Sequence, residues 1–151
     1  MEILAEAVRF FAGGRQILQG IDLELRPKEF LGIIGPNGSG KTTLLRALLS
    51  AQPPVTGRIS WGRGVKRSYY DQGSDHLDQS LTVMDTMWKA YPRMYETPLR
   101  TALGAMGLTG EDAYRLVGQL SGGERARLKL AMICLAGSNV LVLDEPTNHL
   151  D

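Results

Sequence analysis

The chain has a single cysteine in 151 residues, which rules out an internal disulfide. Cys134 stands in the apolar helical stretch LAMICLAG (130–137), where a free thiol is expected to be buried and structural. Long apolar runs are also missing. None approaches the ~18 residues that a bilayer-crossing helix needs, and the start, MEILAEAVRF, lacks the basic residues and long apolar core of a secretion signal. These absences predict a cytoplasmic protein with no membrane span of its own. Neither sign of charge dominates, since 17 Lys and Arg face 16 Asp and Glu for a net charge of +1. Bulk electrostatics therefore gives no reason to expect nucleic acid or an anionic membrane as partner. Repeats and low-complexity segments are absent too. What remains, 43% hydrophobic and 22% charged residues, is ordinary for a globular chain long enough to bury a core.

The pattern along the chain is α/β. Residues 2–9 and 16–26 alternate as strands around the turn Ala12–Gly13–Gly14, giving an N-terminal antiparallel β element. The run FLGII (30–34) is continuously apolar and predicts a strand buried on both faces. Helical spacing follows at 41–49, with Leu44, Leu45, Leu48 and Leu49 on one face. Pro53–Pro54 closes that region. Segments 58–61 and 65–70 flank Gly62–Arg63–Gly64 and predict a hairpin, followed by a polar stretch, DQGSDHLDQ (71–79). Helices are expected at 82–91, opened by a Thr82–Asp85 capping box, and at 98–107, with Thr97 as N-cap and Pro98 at the first helical position. A short third helix is expected at 111–117, so that 75–118 reads as a helical subdomain inserted into the α/β core. The longest helix spans Ser121–Leu135, and NVLVL (139–143) reads as a second buried strand.

Three motifs carry chemistry. Gly35-Pro36-Asn37-Gly38-Ser39-Gly40-Lys41-Thr42 fits G-x-x-x-x-G-K-[ST], in the order strand, glycine-rich turn, helix. Its glycines let backbone N–H groups turn inward around a polyphosphate, and the helix start adds a positive dipole end. Lys41 is expected on the β- and γ-phosphates and the Thr42 hydroxyl on Mg²⁺. The second motif, VLVLDE (140–145), ends an apolar run in two acids, at the strand end where ligands of open α/β folds bind. Asp144 is the expected Mg²⁺ ligand, and Glu145 the general base or orienter of the attacking water. The third, LSGGE (120–124), opens the long helix with a hydroxyl and two glycines, so Ser121, Gly122, Gly123 and Glu124 present a second anion site. The simplest use of two such sites is a head-to-tail pair of domains, each offering its serine and glycines to the γ-phosphate held by the other.

GPNGSGKTT, LSGGE and LVLDEP, in this order and spacing, resemble the ATP-binding-cassette (ABC) ATPases across nearly the whole chain. The ending TNHLD resembles the F subfamily, and the stretch from Leu99 onward is most similar to the second cassette of such proteins. The resemblance implies a single nucleotide-binding domain over 1–151 with a P-loop core, using ATP and Mg²⁺. It implies a second cassette as partner, in the same chain or in a homodimer, and no membrane domain. Characterised members of the subfamily act on the ribosome as translation or antibiotic-resistance factors. Position by position, Thr43 completes the nucleotide loop, Gln72 becomes a Mg²⁺ ligand that senses the γ-phosphate, and Asn148–Asp151 become a loop at the cassette interface. An aromatic that stacks on adenine falls on Phe10 or Phe11, and strand alternation favours Phe11. Family members continue with another strand and a γ-phosphate-contacting histidine, a position that neither His76 nor His149 fits; the sequence therefore reads as a partial cassette. A transporter ATPase subunit and a non-hydrolytic nucleotide-binding module are the alternatives. Trp61, Tyr69, Tyr70 and Trp88 are expected in the core. Arg125, Arg127 and Lys129 are expected on a solvated or interdomain face.

Overall fold

A computed structural model of the chain describes residues 3–49, 56–70 and 77–146. The expected residues Gln72, His76, His149, Pro53–Pro54 and the 148–151 loop lie outside that range. The chain divides into two compact units, Met1–Val65 and Lys66–Asp151.

The first unit is built on an antiparallel sheet of β1 (Ile3–Ala12), β2 (Arg15–Leu25) and β3 (Thr56–Trp61), in the order β2-β1-β3. Gly13 and Gly14 join β1 to β2 with φ of 56° and 77°. Those values are what a two-residue hairpin turn demands, and glycine meets them without strain. Helix α1 (Lys41–Leu48) lays Leu44, Ala47 and Leu48 against Ile3, Ala5, Val8 and Leu18 of the sheet. The indole N–H of Trp61 donates to the Leu48 carbonyl at 3.0 Å, satisfying one of the acceptors left open at the helix end.

Two expectations fail here. Residues 30–34 form no strand, and Phe30 and Ile34 are 96% and 95% exposed. A continuous apolar run signals a tendency to be covered, but a strand also needs neighbours to complete its ladder. None of the described strands pairs with this one. The hairpin across Gly62–Gly64 also fails, although both strands exist. β3 runs antiparallel to β1, with Ile3 opposite Trp61 and Ala5 opposite Ile59. β4 (Arg67–Tyr70) instead pairs in parallel with β5 (Val140–Leu143). The glycine turn thus carries the chain from one sheet to another.

In the second unit, helices α2 (Val83–Ala90), α3 (Glu96–Ala105) and α4 (Gly122–Leu135) surround a core of Val83, Met84, Met87, Leu99, Leu103, Leu108, Val117 and Leu128. The Thr82 hydroxyl caps α2 by accepting from the Asp85 N–H at 3.0 Å. Helix α3 begins at Glu96, two residues before the expected start. Pro98 then sits in a first turn whose N–H groups have no intrahelical partner anyway, so it costs no hydrogen bond. Instead of an α-helix at 111–117 there are two 3₁₀ turns, Gly110–Tyr114 and Val117–Gln119.

Burial departs from expectation at three places. Cys134 is exposed. At about 100° per residue, Leu128, Ala131 and Leu135 share one face of α4, whereas Cys134 is turned away from it. Trp88 is exposed, and among the other aromatics Tyr70 is buried while Trp61 and Tyr69 are half-buried. β5 buries Val140 and Val142 but exposes Leu141, the alternation of a strand covered on one face only.

Candidate nucleotide site

In the first unit, the segment from Gly35 to Gly40 runs into α1 as an exposed loop. Gly40 is the N-cap of α1 with φ at 94°, in the left-handed region. A Cβ there would lie 3.2 Å from Ile17 Cγ2 and 3.4 Å from Leu18 Cδ2, so both conformation and space call for glycine. The Ser39 N–H donates to the Pro36 carbonyl at 3.2 Å and closes the turn. Gly38 sits within it at φ 79°. The Lys41 ammonium folds back over the loop, donating to the carbonyls of Gly35 (2.8 Å) and Pro36 (3.0 Å). No side chain caps α1, and no acid stands in its first turn. Its N-terminal amides and dipole are therefore left for an outside anion, beside a lysine already held at the loop. Asn37 lies at the exposed turn, and Thr42 and Thr43 are half-buried in the first turn of the helix. At the end of β1, Phe10 packs against the core while Phe11 is 45% exposed.

The second unit contains the two acids. Asp144 is only 6% exposed. Its N–H continues the parallel ladder to the Tyr70 carbonyl at 3.0 Å, and its Oδ2 accepts from the Tyr69 hydroxyl at 3.3 Å. Glu145 follows at φ 50°, a left-handed conformation that costs a side-chain-bearing residue about 1 kcal/mol or more. That turn takes the second carboxylate out of the strand's in–out alternation. Among the described residues no three His, Cys, Asp or Glu side chains gather as a metal cluster. Mg²⁺ ordinarily takes one or two side-chain oxygens and completes its shell with phosphate and water. The buried carboxylate of Asp144 is a donor of that type.

Ser121 caps α4 through a full capping box. Its Oγ accepts from the Glu124 N–H at 3.2 Å, and its own N–H donates to Glu124 Oε2 at 2.7 Å. Arg115 clamps the same carboxylate with both ends of its fork, Nη1 to Oε1 at 2.7 Å and Nη2 to Oε2 at 3.3 Å. It also donates to Asp112 Oδ1 at 3.1 Å and to the Gln119 carbonyl at 3.2 Å. The Arg115 guanidinium, with the Ser121 N–H next in effect, holds the Glu124 carboxyl down at about 2. Arg125 reaches back to the Leu120 carbonyl at 2.6 Å.

Sequence reasoning named the serine, the glycines and the glutamate but missed Arg115, Asp112 and Tyr69. The S-x-x-E spacing of the cap is a local signal. The nine-residue reach from Arg115 to Glu124 and the cross-strand reach from Tyr69 to Asp144 leave no such mark.

The family model described as ABC transporter matches residues 18–148. Among curated proteins, the chain is 44% identical over 135 residues to YdiF of Bacillus subtilis, covering 89% of this chain and 21% of that protein. It is 40% identical over 143 residues to the energy-dependent translational throttle protein EttA of Escherichia coli K12, covering 92% and 26%. The chain thus spans about a quarter or less of the length of these relatives. Among solved structures, the ATP-binding cassette MJ0796, determined as a dimer in a post-hydrolysis state with ADP and Pi, superposes with a TM-score of 0.82 over 99% of this chain and 76% of its own, at 22% identity. That likeness shows the fold, and the sequence match shows the kinship: the chain belongs to the ATP-binding-cassette family.

Proposed function

We propose that the chain is a Mg²⁺-dependent ATP-binding and ATP-hydrolysing cassette of the F type, working against a second cassette and coupled to the ribosome. The observation that carries the nucleotide assignment is the start of α1, uncapped and free of acids, with Lys41 held over the glycine loop. In this reading the loop amides from Gly35 to Gly40 and Lys41 take the phosphates, with Thr42 and Thr43 at the helix start and Phe11 against the adenine. Thr42 and Asp144 would hold Mg²⁺, with Gln72 as a further expected ligand. The ion, when bound, draws charge from the terminal phosphates. Glu145 orients a water and accepts its proton as the water oxygen attacks the γ-phosphorus in line and the β–γ bridging oxygen leaves with ADP. Ser121, Gly122 and Gly123 act on the nucleotide held by the opposing cassette, and the dimeric state of MJ0796 supports a paired arrangement.

Coupling to translation is supported by the likeness to EttA, whose name describes a translational throttle. No described helix is long and apolar enough to cross a membrane, and we place the working protein in the cytoplasm. A transporter-subunit role is the second reading, favoured by the family model's own description. The test is carried out on the full-length protein. Phosphate release from Mg-ATP should fall to background in Glu145→Gln, and that trapped variant should co-sediment with ribosomes in the presence of ATP. Recovery with a membrane-protein partner instead would favour the transporter reading; ATP binding with no release above the Glu145→Gln level would make the chain a nucleotide-binding module.

A further inference from the structure

The start of α4 contains a contradiction that the structure resolves. A site meant to receive a phosphate should not hold its own anion, yet Glu124 stands in the first turn of α4. Left alone, its carboxylate would occupy the helix dipole and repel an incoming phosphate. Three features prevent this. Both oxygens of Glu124 are engaged by the Arg115 fork, and Oε2 also accepts from the Ser121 N–H. The Glu124 N–H occupies a lone pair of Ser121 Oγ, which leaves the hydroxyl proton to be donated outward. Arg125, bonded to the Leu120 carbonyl, adds a second cation, so Arg115 and Arg125 balance Asp112 and Glu124.

We propose that Arg115 is a positioning residue for ATP turnover: by clamping and neutralising Glu124 it makes the start of α4 a donor-only surface for the phosphate held by a second cassette. This rests on the assignment of Ser121, Gly122 and Gly123 under Proposed function. Bidentate charge-assisted bonding gives the clamp both strength and direction, which a point charge would not supply.

The experiment uses the full-length protein, reading kcat for ATP hydrolysis separately from the affinity of a fluorescent ATP analogue. Arg115→Gln should lower kcat about tenfold while changing nucleotide affinity less than twofold, because the phosphate loop is untouched. Adding Glu124→Gln to it should restore kcat to within about threefold, since glutamine preserves the capping box without the charge. Arg115→Lys, which keeps the charge but loses the fork, should fall between. If Arg115→Gln does not fold, the lysine variant carries the test, and wild-type kcat in it overturns the proposal. A loss in Arg115→Gln that the second substitution fails to rescue also overturns it, because a purely structural support would be lost twice over. Ser121→Ala separates the layers. If it is impaired while Arg115→Gln is normal, the proposal alone fails; if it is normal, the assignment of Ser121, Gly122 and Gly123 beneath it fails.

Discussion

Gly40 offers a demanding test of how the phosphate loop is built. Its φ of 94° lies in a region that side-chain-bearing residues avoid, at a cost of about 1–2 kcal/mol for alanine. The new methyl would stand 3.2 Å from Ile17 Cγ2 and 3.4 Å from Leu18 Cδ2, on strand β2 beneath the loop. Overpacking of that kind adds about 1 kcal/mol. The sum, about 2–3 kcal/mol, corresponds to a fall of roughly 5–10 °C in Tm for a domain of this size. Because Gly40 is also the N-cap of α1, relief of the strain must move the loop or the helix start, and ATP affinity should fall at least tenfold. Gly104→Ala is the matched control. Gly104 sits exposed in α3 with no atom within 4 Å of a new Cβ and no positive φ, so alanine should stabilise by about 0.5–1 kcal/mol. Differential scanning fluorimetry and nucleotide titration on both variants suffice. Equal, small effects from the two substitutions would refute the argument that backbone conformation at Gly40 shapes the site.

Lowering the pH should weaken the second unit through Glu124. Its carboxyl is held at about 2 in the fold against an ordinary value of 4.5, chiefly by the Arg115 bonds. The stabilisation is therefore complete above pH 4.5 and lost as pH falls from there toward 2. On this partly exposed pair it should amount to on the order of 1 kcal/mol, seen as a drop in urea midpoint between pH 6 and 3 that Arg115→Gln flattens. Leu128→Ala, in the fully buried core beneath α4, should cost about 2–5 kcal/mol in chemical denaturation. Glu145→Gly should remove the left-handed strain and raise stability by about 1 kcal/mol while abolishing phosphate release, the two effects read by thermal melts and a phosphate assay.

What could be read from the sequence was what local chemistry encodes. The Gly13–Gly14 turn fixed the β1–β2 hairpin, the glycine-lysine-threonine run marked the start of α1, and the Ser121–Glu124 spacing marked the cap of α4. Strand pairing was not legible, because ladder partners are chosen by distant segments. The chain after Trp61 turns as expected, yet its two flanking strands join β1 and β5 rather than each other. Nor could the run at 30–34 reveal whether partners exist to cover it. In the stretch around Cys134 every neighbour is apolar, so periodicity could not say which face of α4 meets the core. The clamp by Arg115 was invisible for a different reason. Arg115 is brought to Glu124 by the tight 3₁₀ turn at Val117–Gln119 between it and the helix, not by a spacing that the sequence displays.

The central claim, that the glycine loop and Lys41 hold the phosphates of a nucleotide, is tested most directly by calorimetric titration of Mg-ATP into the full-length protein carrying Lys41→Ala in this cassette. Loss of at least a hundredfold in affinity at this site, with the fold intact by circular dichroism, is the expected result. Wild-type affinity in that variant would contradict it.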